Sequence, residues 1–499
     1  MLCKACGPLD SISLSGCGRK TFQLDARFKE LVAALDNLGL NPTSMYHHAA
    51  AGREVPENND VADELRPYRP LDASRVKLTG TGEWNCEDYL SDLLFMAFVE
   101  PAINTFDVIP PEGLYPDVAD ADCRQIEELC RVWDANGLLR LIPVELGPEP
   151  ADMHLHTRVF GNFKNKLADR QIGDRRGRNF VEGRISPGPS HEIPSATALL
   201  QLEARRFHEV LVGAIADRRD FYHQFHVTYE RAATNTVYPA FCLGDFKHTA
   251  AYSAFVQTFA KQRARPREEV GDFLGMPRPL LIGVSDDRPV YAAFGALFQG
   301  DHLGVEFACC AHAQMLEEAG CHCAMNRLCA HHAILHNSPV TGLVIDDFFV
   351  VSAEDRPSAR GSDFLGKSKS SEVLEQAKAA YKREGIIGSD DKEVQNAWKF
   401  KVIGAEVNSC TELVDKGLVS LGAPGDKRLG LCMLSALIAN LPNSIHHRCF
   451  TCELGWFLDI SFAVQKAYDV SYQQTFQGCE LSRGCREHTK TSCLAEGSC

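Results

Sequence analysis

The stretch VTGLVIDDFFVVS, residues 340–352, decides how the rest of the chain is read. Two β-prone runs, Leu343-Val344-Ile345 and Phe348-Phe349-Val350-Val351, flank the pair Asp346-Asp347. Two residues between such runs signal a β-hairpin, although the favoured pair contains Gly or Asn. Aspartate is depleted in strands, and adjacent carboxylates repel, so this pair carries a cost. A divalent cation would offset it, because hard Mg²⁺ or Mn²⁺ prefers carboxylate oxygens. A solvated turn is the plain alternative.

Upstream, LVGAIADRRDFYHQFHV (211–227) is an apolar strand ending at Asp217. Tyr222 follows five residues later, among Phe221 and Phe225. A third carboxylate at a strand end, distant in sequence, is what two-metal phosphoryl transfer requires, since both ions need shared acidic ligands. Taken alone, Asp217 would serve equally as a helix N-cap.

The strand–Asp–x4–Tyr segment followed by an Asp-Asp hairpin resembles the palm of retroelement reverse transcriptases. Four further segments agree, in the family's order. Arg170-x3-Asp174-x-Arg176-x2-Asn179 resembles the fingers motif, and FQGDHLGVEF (298–307) the Gln-Gly motif before the supporting helix. EGIIGSDDK (384–392) resembles the Gly-then-Lys motif, and FKVIGAEV (400–407) the primer-grip strands. The resemblance covers roughly residues 160–410.

It implies an α+β right-hand polymerase and RNA-directed DNA synthesis, with two Mg²⁺ or Mn²⁺ ions held by Asp217, Asp346 and Asp347. Arg170, helped by Lys164 or Lys166, would lie against the incoming triphosphate, where a planar guanidinium suits phosphate oxygens. Gln299, with Gly300, would sit by the incoming nucleotide, and Lys392 would be the general acid for pyrophosphate. Tyr222 would lie under the sugar and exclude a 2′-hydroxyl. The implied partners are dNTPs and an RNA or DNA template with its primer. Read without the motif, Arg170 is a surface arginine and Lys392 a solvated lysine.

The sequence departs from the pattern in places. Val344 stands where the family often carries Tyr or Phe, and Gly304-Val305 where Ser-Pro or Ala-Pro is usual. Residues 241–290 form a longer segment than usual, with the basic cluster Lys261, Arg263, Arg265 and Arg267.

The chain has 499 residues and a net charge of −14, which looks wrong for a nucleic-acid partner until it is located. Residues 51–150 hold 21 acidic against 8 basic residues, so the remainder is nearly neutral. Within it, residues 158–184 hold 8 Lys/Arg against 3 Asp/Glu, charge suited to sequence-independent phosphate contacts. The 20 cysteines, without an apolar leader at MLCKACGPLD, are expected as thiols. Cys3-x2-Cys6 is half of a zinc-site spacing, but only Cys17 follows nearby, and the group Cys321, His322, Cys323, Cys329, His331, His332 and His336 matches no tetrahedral zinc signature. No run approaches the ~18 apolar residues of a membrane helix. A cytoplasmic or nuclear protein without a membrane partner is expected.

The expected organisation has four parts. Residues 1–150 form an acidic, mostly helical region, with an amphipathic piece at Phe28–Leu38 and a boundary at 143–150. Residues 155–410 are fingers and palm, 411–470 a helical thumb-like segment, and 471–499 a Cys-containing tail expected to lack order. About 92 residues follow Val407, too few for an added ribonuclease H domain. Two rivals stand beside the polymerase. One is an inactive, domesticated reverse-transcriptase-like protein that binds nucleic acid. The other, an RNA-dependent RNA polymerase, is disfavoured by Tyr222 and by the lack of Gly before the acidic pair.

Overall fold

The run EVLVGAIAD has polar residues only at its ends, and it forms a strand buried on both faces along nearly all its length. It lies in a computed structural model that describes residues 69–111, 122–149, 152–263, 284–330, 333–334, 339–356, 367–424 and 427–428. The helices are α1 (Asp92–Val99), α2 (Cys123–Ala135), α3 (Arg176–Val181), α4 (Ala250–Arg263), α5 (Gly304–Glu318) and α6 (Lys369–Glu384), besides single turns. The strands are β1 (Leu139–Pro143), β2 (Arg158–Asn165), β3 (Ala168–Asp174), β4 (Glu209–Asp217), β5 (Thr236–Cys242) and β6 (Pro289–Phe294). They continue with β7 (Val340–Val344), β8 (Asp347–Asp355), β9 (Val394–Ala397), β10 (Lys399–Val402), β11 (Ala405–Asn408) and β12 (Ser420–Gly422). The class is α+β, as expected.

The central sheet has the order β7-β8-β4-β9, with every pair antiparallel. Side chains alternate across it with period two. Ala214, Ala216, Phe348 and Val350 face α5 and α6, meeting Phe307, Ala311, Met315, Leu374 and Tyr381 in one core. Leu211, Ile215, Phe349 and Val351 face the other way, against Phe400, Val402 and Val407 of the β10-β11-β12 sheet. Alanines on the helix side of β4 let the two helices lie close; on the other side Leu211 and Ile215 flank Gly213, against which the Phe400 ring packs. The β10–β11 hairpin turns at Ile403 and Gly404, both at positive φ, as a tight two-residue turn demands.

A second sheet, β1-β6-β5, moves the expected domain boundary. β1 pairs with β6 from Leu139↔Phe294 to Pro143↔Val290. Trp133 of α2 is fully buried with Phe294 and Phe298, and its indole N–H donates to Gln171 on β3 at 2.9 Å. The described residues between 69 and 149 therefore share a core and a sheet with segments after 151, and the boundary expected at 143–150 does not divide them. The proline and glycine there break regular structure without breaking the packing. The other boundary shifts too: β12, placed in the thumb-like segment, pairs with β11. Phe28–Leu38, Arg265, Arg267, His331, His332, His336, most of 411–470 and all of 471–499 lie outside the described residues. Among the described residues no helix is long and apolar enough to cross a membrane.

Candidate functional site

β4 runs antiparallel to β8 so that Asp217, its last residue, is the Cα partner of Asp347, the first residue of β8. One residue on, the Arg218 N–H donates to the Asp346 carbonyl at 3.1 Å. Two segments far apart in sequence thus bring three acids to one end of the sheet. By strand parity Asp217 and Asp347 share the face of Ile215 and Phe349, away from α5 and α6. Asp217 is buried, Asp346 half-buried and Asp347 exposed.

The hairpin turns differently from its expected form. Val344 pairs with Asp347, so the turn residues are Ile345 and Asp346 rather than the two aspartates. Ile345 has φ +54°, an uncommon and strained conformation for a β-branched side chain.

The acids are electrostatically frustrated. Burial, then the charges of Asp347 and Asp217, push the Asp346 carboxyl up to about 6. Asp347 is also raised, by burial and by Asp217. Lys392 relieves this only in part: its ammonium hydrogen-bonds Asp217 Oδ2, which raises its own pKa. The loop bearing Lys392 is anchored where Ser389 N–H donates to the Asp217 carbonyl at 2.9 Å. Among the described residues, no three His, Cys, Asp or Glu side chains are gathered closely enough to hold a metal ion as they stand. The described cysteines are free thiols, and the buried His322 bonds Thr341 Oγ1 at 2.9 Å.

Tyr222 lies in the turn Phe221–Gln224, against the core under α5. A Cβ added to Gly304 would stand 3.1 Å from its ring. A larger residue at the helix start would therefore need the tyrosine ring to give way by a few tenths of an ångström. Burial, followed by the charges of Cys309 and Asp346, keeps the phenol protonated well above its ordinary range.

The remaining expected residues divide. Gln299 and Gly300 pack on the β2–β3 hairpin, where Gly173 N–H donates to the Gln299 carbonyl at 2.7 Å. Gly300 has φ +117°, and a Cβ there would lie 2.0 Å from the Gly173 oxygen, so only glycine fits. Asn179 Nδ2 donates to the Gly300 carbonyl at 2.8 Å, tying the Arg-x3-Asp-x-Arg-x2-Asn segment to the Gln-Gly segment. Lys164 reaches Asp220 Oδ1 at 3.0 Å, three residues past Asp217. Arg170, opposite Asn162 on β3, and Lys166 at the hairpin tip are both exposed. Among the described residues no hydrogen bond or ion pair joins either to the three acids.

Sequence reasoning missed two groups. One is a buried ion cluster in which Arg175 and Arg231 both pair with Asp301 and Glu182, linking the residue before α3 to the approach to α5. The other lies beneath the Asp346 turn and comprises His312, Tyr381 and Arg218. A histidine on the apolar stripe Ala308, Ala311, His312, Met315 was the available signal, because a buried polar ring needs partners.

No family model matches the chain, and no curated protein matches it. Among solved structures it is similar to a foamy viral protease-reverse transcriptase in complex with double-stranded DNA, at 10% identity and a TM-score of 0.36, covering 84% of this chain and 49% of that one. It is also similar to a mutant of the prototype foamy virus protease-reverse transcriptase, at 15% identity and a TM-score of 0.32, covering 60% and 28%. The chain thus spans about half of the first structure's length and less of the second's.

Proposed function

We propose that this chain is a retrotransposon-like reverse transcriptase that adds dNTPs to a primer 3′-OH on an RNA or DNA template. One observation carries the proposal: the β4–β8 register sets Asp217 opposite Asp347, with the Asp346 carbonyl accepting from Arg218 N–H, just past the end of β4. Isolated solvated aspartates have no reason to converge at a sheet end, and like charges directly opposite destabilise a ladder.

The donor set suits a hard divalent cation, because all three groups offer carboxylate oxygens and their charge is only partly balanced by Lys392. Asp217, Asp346 and Asp347 would hold two Mg²⁺ or Mn²⁺ ions. When bound, such ions supply Lewis acidity to the attacking and leaving oxygens. Lys392 would leave Asp217 for the departing pyrophosphate and give it a proton. Arg170, with Lys164 or Lys166, would hold triphosphate oxygens. Gln299 and Gly300 would set the floor under the base, and the Tyr222 ring would exclude a ribose 2′-hydroxyl.

A second reading has its own observation. The Lys392 ammonium already bonds Asp217, which suits a protein that binds nucleic acid without extending it. Extension of oligo(dT) on poly(rA) by the full chain, with Mg²⁺ or Mn²⁺, separates the two. Synthesis supports the polymerase; tight primer–template binding without synthesis supports the second reading.

A further inference from the structure

We infer that His312 is a positioning residue: it clamps the Ile345 carbonyl and thereby sets the Asp346-Asp347 turn. The inference rests on the polymerase reading for its consequence, although the clamp itself is a matter of geometry.

His312 is fully buried on α5, and its Nδ1 lies 2.7 Å from the Ile345 carbonyl oxygen. A carbonyl only accepts, so Nδ1 carries the proton and Nε2 must accept. The donor to Nε2 is the Tyr381 hydroxyl of α6, at 2.8 Å. The Tyr381 ring lies under the Arg218 guanidinium, 4.0 Å from its centroid. Arg218 follows Asp217, and its N–H donates to the Asp346 carbonyl at 3.1 Å. The contacts therefore close a ring: Asp346, Ile345, His312, Tyr381, Arg218 and back to Asp346.

Ile345 needs such a hold. The first turn residue of a tight hairpin at positive φ is normally glycine, asparagine or aspartate. A β-branched residue persists there only if its surroundings over-determine it. The backbone of Ile345 leads directly into Asp346, so relaxing its φ would swing that carboxyl away from Asp217. His312 touches no reacting atom; it acts through Ile345.

The experiment compares His312→Leu, His312→Asn, Tyr381→Phe, Ile345→Gly and the double variant His312→Leu/Ile345→Gly in the full chain. Two readouts are taken, single dTMP incorporation on poly(rA)/oligo(dT) and the urea unfolding midpoint. His312→Leu is expected to lower the incorporation rate on the order of 100-fold, the scale of a misplaced reacting group, with little change in the KM for dTTP. His312→Asn keeps a side-chain N–H for Ile345 and is expected to recover most of that rate. Tyr381→Phe, which leaves the ring under Arg218, is expected to cost less than His312→Leu. In the Ile345→Gly background the His312→Leu loss should shrink to a few-fold, because glycine holds positive φ unaided. A full-sized loss in that background, or normal incorporation by His312→Leu, overturns the inference.

If the wild-type chain incorporates nothing, the polymerase reading falls, and the clamp is judged on the unfolding midpoint alone. A cost of His312→Leu that shrinks beside Ile345→Gly supports it there, and strictly additive costs overturn it. Should the leucine variant fail to fold, His312→Asn, with and without Ile345→Gly, carries the same comparison.

Discussion

Asp217 faces Asp347 across the last rung of the β4–β8 ladder. Two aspartates as direct cross-strand partners repel, and Asp346 stands in the adjoining turn with its carboxyl raised to about 6. Like charge is thus concentrated at this sheet end at a cost to the fold, and carboxyls perturbed in this way cluster at functional sites in general.

The frustration makes a stability test possible. Asp346 is raised in the folded chain above its unfolded value, so at neutral pH its ionised form weakens the fold. Asp346→Asn removes that charge and should stabilise the chain by about 1 kcal/mol at pH 7.5, after discounting for water access. The gain should shrink as pH falls through about 6 and be gone by about pH 3.5, below the value near 3.9 at which the unfolded carboxyl takes up its proton. Urea midpoints for both proteins at the two pH values check this.

Lys392 and a divalent ion would compete for Asp217. Lys392→Ala should therefore bind Mn²⁺ more tightly than wild type, measured by electron paramagnetic resonance of the free ion, while incorporating dTMP at least about 10-fold more slowly, the scale of a lost general acid. Tighter binding with an unchanged rate would remove Lys392 from proton transfer.

Four buried histidines, His156, His223, His312 and His322, set the acid limit of the fold, with burial holding His322 well below its ordinary value. Burial lowers His156 and His223 to about 4 and His312 to about 3. Their folded pKa values lie below the unfolded value near 6.5, so the unfolded chain binds the extra protons as pH falls. Stability should be intact above about pH 7 and fall from there toward pH 4. Asp346, raised rather than lowered, opposes this as it takes up its proton near 6. The net loss between pH 7 and pH 5 is at least on the order of 4 kcal/mol. Denaturation midpoints across that range measure it, and a flat profile would show that the imidazoles are hydrated.

Tyr222 is expected to select the sugar. Tyr222→Ala should incorporate UMP as well as dTMP, lowering discrimination at least about 10-fold, the scale of an altered pocket contact. The same substitution removes a half-buried ring packed near Gly304, so it should also cost roughly 2–4 kcal/mol of stability. A ratio of dTMP to UMP incorporation that matches wild type would place the ring away from the sugar.

Much of the site was legible because its strands are strongly patterned. EVLVGAIAD and the runs around Asp346-Asp347 are β-prone and end in carboxylates, which predicts the strands and the gathering of three acids at their ends. The turn was misassigned by one residue, because composition gave no sign that Ile345 would take a positive φ. That conformation depends on His312, over thirty residues earlier, and no local pattern encodes so distant a hydrogen bond. The boundary near residue 150 failed for a related reason: β1 pairs with β6 across a long gap, and Pro-Gly punctuation reports only local breaks. At Gly304 nothing in the sequence signalled its neighbour, the Tyr222 ring, which lies 3.1 Å from where a Cβ would stand.

The most direct test measures single dTMP incorporation on poly(rA)/oligo(dT) by the wild-type chain and by Asp217→Asn, Asp346→Asn and Asp347→Asn, each confirmed as folded. Metal-dependent incorporation by the wild type is expected, lost on the order of 1,000-fold or more in Asp217→Asn and Asp346→Asn, as removal of a charge-stabilising group at a reacting centre costs. Incorporation that persists at wild-type rates in those variants, or none from a folded wild-type chain with either Mg²⁺ or Mn²⁺, would contradict it.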